Sequence, residues 1–324
     1  MNKKVLIIGG TGQFGFYLTK LLVKKKFKLY LTTRNVNSSK VAFYKKIFKK
    51  KINIFQLNLY KKKKIYNILK KIKPNFIFFL SGQSSVYKSF KNKSDTFKSN
   101  FIACKNILDE IVRLGVKVKF FNASSSEIFG NTKKKIRINS IKKPVSPYGQ
   151  AKLKSYNLLK EYRIKHNLEL YNGIIFNCES FLRPVNFVIP KICLAAIKAN
   201  NEDKNNKKIF FKFGNINVKR DWGWCEEYVK KIWQLMKTRN YDFIVATGKT
   251  YSLKELLNLA FSYFDLKWEN YVLSKKKFLR KKEIFSVVAD SVYLKKYLIT
   301  LPKIDAPEII FRMIRYYQKY KTKN

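Results

Sequence analysis

The chain has 324 residues, 46% of them hydrophobic, which is ample for a large buried core, yet it carries 70 Lys and Arg against 20 Asp and Glu, a formal charge of +50. Its four cysteines, Cys104, Cys178, Cys193 and Cys225, have no close metal-ligand spacing, which argues against a zinc module or a disulfide scaffold and for reduced thiols in the cytoplasm. No signal-peptide core follows Met1 and no apolar run approaches ~18 residues, so no membrane association is expected.

In chain order, short β-branched or aromatic runs alternate with longer helical patterns. Val5 to Ile8, Lys28 to Thr33, Ile52 to Leu57, Asn75 to Leu80, Lys117 to Asn122 and Glu169 to Phe176 read as strands. Gln13 to Lys25, Lys61 to Lys71, Thr96 to Leu114 and Pro147 to His166 carry apolar residues at helical spacing. This alternation predicts an α/β fold, a Rossmann-type, doubly wound and mostly parallel sheet, over residues 1–176, with roughly 218–248 returning to it. Residues 177–324 read as a smaller C-terminal α/β lobe that binds the substrate. Within it Pro184 and Pro190 break the chain, Asn200 to Lys208 reads as a surface loop, a helix runs to Phe264, and terminal helices lie around Ser291 to Tyr297 and Ala306 to Tyr320.

The excess charge invites a nucleic-acid partner. It is nearly all lysine, however, dispersed through helices and loops beside abundant Asn, Ile, Phe and Tyr, as a general substitution bias produces. Runs such as Lys61 to Lys64 and Lys275 to Lys277 therefore read as solvated faces, and no nucleic acid is expected.

Three constellations carry chemistry. Gly9-Gly10-Thr11-Gly12-Gln13-Phe14-Gly15 contains G-x-G-x-x-G between the first strand and first helix, where glycine permits close approach of a dinucleotide pyrophosphate to the helix N-terminus. The second strand ends Thr32-Thr33-Arg34 without a carboxylate for a ribose, and Arg34 can pair with a 2′-phosphate, so NADP is favoured over NAD. Tyr148 and Lys152, four apart on a helix, share a face, and the ammonium favours the phenolate. Glu127, at the end of Ser124-Ser125-Ser126-Glu127, adds a second acid/base that simple hydride transfer does not need, so oxidation coupled to elimination is expected.

With these residues the chain resembles the extended short-chain dehydrogenase/reductases and, among them, the GDP-mannose 4,6-dehydratase family. The likeness includes Leu80-Ser81-Gly82-Gln83-Ser84, Ala123 to Gly130, Ser146-Pro147-Tyr148-Gly149-Gln150-Ala151-Lys152, Asn172 to Asn177 with Glu179-Ser180, Arg220-Asp221-Trp222-Gly223 and Ala246-Thr247-Gly248. It implies catalytic roles for Ser125, Glu127, Tyr148 and Lys152. Gly9, Thr11, Gly12, Gln13, Phe14, Gly15, Arg34, Asn58, Leu59, Leu80, Gln83, Ser84, Tyr148, Lys152, Cys178 and Arg183 match cofactor positions. Ser84, Ser125, Asn177, Lys191, Arg220, Arg280 and Glu283 match positions that bind GDP-mannose or a related GDP-sugar.

The cycle so implied oxidises C4, removes the C5 proton, expels water from C6 and returns hydride there, in a homodimer or homotetramer. Phe14, Asn58 and Cys178 replace an aspartate, an aspartate and a histidine of the family, and Phe181 to Val185 replaces a Pro-Arg-Arg-Gly-Glu segment. Another nucleotide-sugar 4,6-dehydratase, a 4-epimerase, a 4-keto-6-deoxy sugar reductase or a non-catalytic basic protein of the same fold remain as alternatives.

Overall fold

A computed structural model describes residues 3–132, 134–205, 209–274, 283–298 and 300–320. The chain separates into two compact units: Met1–Gly130 with Ile138–Ile175 and Val229–Val245, and Asn131–Arg137 with Phe176–Tyr228 and Ala246–Asn324.

In the first unit, six strands named in chain order, β1 (Lys4–Ile8), β2 (Lys28–Thr33), β3 (Ile52–Gln56), β4 (Phe76–Phe79), β5 (Lys119–Ser125) and β6 (Leu170–Ile175), join Asp242–Val245 in a seven-stranded sheet. The order is Asp242–Val245, β6, β5, β4, β1, β2, β3, and every pairing is parallel. All four residues of β4 and all six of β6 are buried, and β4 accordingly reads as a continuous apolar run, whereas β6 buries Asn172 and Gly173 as well.

The helices here are α1 (Gln13–Lys24), α2 (Ser39–Phe48), α3 (Lys62–Ile72), α4 (Val86–Lys91), α5 (Lys93–Phe97), α6 (Ala103–Leu114) and α7 (Pro147–His166). Because strand side chains alternate, Leu6, Ile8, Ile77, Phe79 and Phe120 face one way, onto Ile65 and Leu69 of α3, Ile107 and Ile111 of α6 and Leu159 of α7. Each such side chain, fully buried, stabilises by about 1.5–3 kcal/mol. The opposite face carries Phe78 and Phe121, which line a small apolar cavity with Phe14 and Leu18 of α1 and with Val229 and Ile232.

The run expected as one helix from Thr96 to Leu114 begins three residues earlier and contains a π-helical segment, Lys98–Ile102, between α5 and α6. Helices α2 and α4 went unassigned from the sequence. Val41, Tyr44 and Phe48 do bury one face of α2, but Lys40, Lys45 and Lys46 within it and the neighbouring Lys49 dilute the pattern. With six residues, α4 is too short to show a period.

The second unit packs helices Val188–Asp203, Leu253–Ser262 and Ala306–Tyr320 around Ile192, Ala196, Leu256, Leu257, Ile310, Met313 and Tyr317. Short ladders pair Asn177–Glu179 with Trp222–Trp224, Phe211–Phe213 with Val272–Ser274, and Lys219–Arg220 with both Tyr251–Ser252 and Ser286–Val287. Two expectations are corrected here. Asn200 to Asp203 is the last turn of a helix rather than loop, because buried Ile197 and Ala199 carry the helix into its polar end. Pro190 does not break the chain: it lies in that helix's first turn, where a missing N–H costs nothing. Residues 206–208 and 275–282, with Lys275 to Lys277, lie outside the described residues.

Among the described residues no helix is long and apolar enough to cross a membrane, and no group of three or more His, Cys, Asp or Glu side chains is arranged to hold a metal ion. The four cysteines are free and buried.

Candidate active site

In the first unit the chain reverses direction across the sheet between β1 and β4, the place where open α/β sheets leave a crevice. The turns after both strands meet there. Gly9 has φ +76°, and a Cβ on it would lie 2.8 Å from the Ser81 backbone, so only glycine brings the two turns this close. A Cβ on Gly15 would fall 2.0 Å from the Gly10 carbonyl oxygen, so this glycine seats α1 on the turn.

Gly12 is exposed, and a Cβ there would meet only the Gly9 carbonyl at 3.6 Å, leaving its outer side open to a ligand. Helix α1 starts at Gly12 without a side-chain cap, and no carboxylate in its first turn offsets the N-terminal dipole. This cradle fits a dinucleotide pyrophosphate. Thr11 donates weakly to Thr33 at 3.4 Å, and Tyr44 donates to the Gly12 carbonyl at 2.7 Å, holding the turn.

Other expected cofactor positions fall around this crevice. Arg34 stands exposed beyond β2, and its charge reaches Tyr60. Asn58 folds back to accept from the Tyr60 amide at 2.9 Å, while the Leu59 carbonyl accepts from Asn106, also at 2.9 Å. Gln83 ties its own loop: its amide nitrogen donates to the Ser85 carbonyl and to Thr96, and its amide oxygen accepts from the Ser85 N–H. Leu80 and Phe14 line the apolar cavity. Ser84 is exposed in the loop after β4.

The candidate catalytic residues gather where β5 ends. Ser125 accepts the Glu127 amide at 3.3 Å and so caps the short 3-10 turn Ser126–Ile128. Ser146 caps α7 by accepting the Gly149 amide at 3.1 Å, and the same hydroxyl donates to the Glu127 carboxylate at 3.3 Å. Gly149 permits this closeness, since a Cβ on it would lie 2.6 Å from the Glu127 carbonyl oxygen. One turn on, Tyr148 and Lys152 are 8% and 6% exposed. The Lys152 ammonium donates to the Ala123 carbonyl at 2.8 Å and lies 5.7 Å from the centre of the Tyr148 ring. Burial lowers the Lys152 pKa to about 8, opposed by Cys104, and burial pushes the Cys104 thiol up to about 12.

The second unit gathers a different set. Arg220, 7% exposed, sits 3.6 Å from the Glu283 carboxylate, and the Glu283 carbonyl accepts from Asn131 at 2.9 Å. Asp221 is buried beside it and accepts from the Thr247 amide, the Thr247 hydroxyl and the Gly248 amide at 3.0, 2.7 and 2.7 Å. Burial outweighs these bonds and raises its pKa to about 6.

Asn177 is half-buried opposite Trp222, whereas Cys178 is buried, and burial first, with Cys225 beside it, pushes its thiol pKa well up. Arg183 lies 3.4 Å from the buried Glu179, whose pKa burial raises to about 7, and stacks 3.7 Å over Phe187. Lys191 donates to the Lys212 carbonyl over the Phe213 ring, and burial lowers its pKa. Arg280 lies outside the described residues.

The roles of Ser146 and Gly149 went unread in the sequence, although a serine followed by proline at a helix start is a capping signal.

A parallel sheet of this order, with a glycine turn at its switch point and a buried tyrosine–lysine pair on α7, is the Rossmann-like fold of the short-chain dehydrogenase/reductases. Solved structures of that fold superpose on the whole chain. A dTDP-glucose 4,6-dehydratase from Streptomyces venezuelae with NAD bound covers 99% of it, with 98% of its own chain matched, at TM-score 0.84 and 16% identity. A Pseudomonas aeruginosa protein complexed with NADPH covers 98%, with 99% of its own chain matched, at TM-score 0.77 and 16% identity.

The family model for GDP-mannose 4,6 dehydratase matches residues 6–313, and the chain belongs to that family. The GDP-mannose 4,6 dehydratase 2 of Caenorhabditis elegans is 30% identical over 97% of this chain and 88% of its own. The Vibrio cholerae GDP-mannose 4,6-dehydratase is 33% identical over 80% and 72%.

Proposed function

We propose that the chain is a GDP-mannose 4,6-dehydratase that converts GDP-α-D-mannose to GDP-4-dehydro-6-deoxy-α-D-mannose and water with NADP as its cofactor. The observation that carries this reading is the Glu127 carboxylate, hydrogen-bonded through Ser146 to the start of the helix bearing Tyr148 and Lys152. Interconversion of alcohol and ketone needs only the tyrosine–lysine pair, whereas an added carboxylate suits deprotonation of the carbon beside the new ketone.

The glycine turn at α1 would hold the dinucleotide, and Arg34 its 2′-phosphate. When bound, the nicotinamide supplies the acceptor for the C4 hydrogen and the donor of that hydrogen to C6. Tyr148 takes the proton of the C4 hydroxyl, Lys152 keeps positive charge beside the phenolate, and Ser125 offers its hydroxyl proton to the C4 oxygen. Glu127 then removes the C5 proton and passes it to the C6 hydroxyl, which departs as water while the electron pair left on C5 forms the C5–C6 double bond. A solvent-exchangeable proton returns to C5. Asn177, Lys191, Arg183, Arg220 and Glu283 are assigned to the GDP-sugar and cofactor by family position, with Arg220 suited to a diphosphate oxygen and Glu283 to a ribose hydroxyl. The buried free thiols suit the reducing cytoplasm.

The test incubates the protein with GDP-mannose in heavy water, with NADP and NAD in parallel, and follows the sugar by NMR. Deuterium at C5, loss of the C6 hydroxyl and a C4 carbonyl, with no net cofactor reduction and faster turnover with NADP, are expected. Glu127→Gln should retain C4 oxidation and lose elimination. Normal product from that variant, or stoichiometric cofactor reduction by the wild type, contradicts the dehydratase reading, and equal turnover with NAD contradicts the NADP preference.

A further inference from the structure

We infer that Ser146 is a positioning residue for Glu127, aiming its carboxylate and locking it to the helix that carries Tyr148. The inference rests on the dehydratase reading above and adds a residue to it. A helix cap alone requires only that the Ser146 oxygen accept an amide, which it does from Gly149 at 3.1 Å. Its proton is then left to be donated, and it is spent on the Glu127 carboxylate at 3.3 Å.

Ser146 is 1% exposed, so water does not easily stand in for either bond. Two further contacts make the connection rigid. The Ser125 hydroxyl accepts the Glu127 amide at 3.3 Å from the other side, and Gly149 lets the α7 backbone press against the Glu127 carbonyl. The hydroxyl also sits at the positive end of a 20-residue helix with no acidic residue in its first turn, so the carboxylate it holds faces a favourable dipole. The serine thereby fixes the separation between the group that removes the C5 proton and the helix that serves C4. Neither the carboxylate nor the helix sets that separation alone.

The experiment measures two steps in one reaction with GDP-mannose and NADP in heavy water: transient absorbance of the reduced cofactor, which reports C4 oxidation, and deuterium at C5, which reports Glu127. Loss of a hydrogen bond to a charged group predicts that Ser146→Ala slows C5 exchange about tenfold or more and leaves C4 oxidation nearly unchanged, so reduced cofactor accumulates.

Ser146→Thr, which keeps both bonds, restores the wild-type ratio. Ser146→Asp keeps a helix cap but sets an anion against Glu127, and it slows exchange at least as much as alanine does. The aspartate variant therefore isolates the donor should alanine unfold the helix start. Equal loss of both steps, or a wild-type ratio in the alanine and aspartate variants, overturns the positioning role. No C5 exchange in the wild-type protein overturns the dehydratase reading, and this inference with it.

Discussion

Lys152 is the buried charge on which the pair with Tyr148 depends, and its environment can be measured directly. Its ammonium has a backbone carbonyl at 2.8 Å and a protein interior around it, and burial lowers its pKa from the ordinary 10.5 to about 8. The folded chain therefore holds this proton less tightly than the unfolded chain. Below about pH 8 the full cost of burying the ammonium is present, and between about pH 8 and 10.5 stability rises as the proton is lost, by at most about 3 kcal/mol. Lys152→Met removes the titration. Its melting temperature relative to wild type should be highest near neutral pH and should fall as the pH approaches 10; a difference that stays flat contradicts the assignment. The pair itself was legible because four positions along a helix return to one face. The bond from Ser146 to Glu127 was not, because it joins residues 19 apart whose proximity depends on the turn after β5. Gln83 shows another such case: both ends of its amide are bonded to Ser85, two residues on, through a loop conformation that the sequence does not display.

Helix α1 shows how one missing side chain decides the placement of an element. A methyl group at position 15 would fall 2.0 Å from a backbone oxygen, so α1 would have to lift from the turn at Gly10. Gly15→Ala should lower stability by about 1–3 kcal/mol and weaken NADP binding together, read by urea midpoint and by cofactor titration; a midpoint within about 0.5 kcal/mol of wild type with unchanged binding would contradict this account. The glycine spacing was readable because it needs only a strand before it and a helix after it. All six expected strands of the first unit and its four expected helices are present, most of them marked by an apolar period or run, although α7 buries Gly149, Lys152 and Ser155 and β6 buries Asn172 and Gly173. The strand order follows from the doubly wound reading rather than from any single strand: β1 pairs with both β2 and β4, as the reversal of winding in such a sheet requires. The π-helical segment Lys98–Ile102, by contrast, was hidden. Its sequence remains helical, and it is the Asn100 carbonyl accepting from the Ser155 hydroxyl at 2.9 Å, across 55 residues, that ties it to α7.

With 70 basic residues and 20 acidic ones, the chain cannot neutralise itself even if every carboxylate is paired. Some carboxylates already serve two partners, as Asp109 does with Lys62 and Lys105. The unpaired excess repels itself over a Debye length of about 30 Å at 0.01 M salt and about 10 Å at 0.1 M. The melting temperature should therefore rise between 0.01 M and 0.3 M sodium chloride, and a fall over that range would mean that favourable ion pairs, not repulsion, dominate. Charge was the most prominent property of the sequence and the least informative about the fold. At the same scale, the placement of Asp242–Val245 has a consequence for synthesis. This strand covers the outer edge of β6, all of whose residues are buried, yet it is encoded only after Phe176–Tyr228 of the second unit. A nascent chain leaving the ribosome must carry an unpaired β6 edge, with Asn172 still lacking Asp242, until residue 245 emerges, so the first unit closes late in translation and is open to chaperone capture until then.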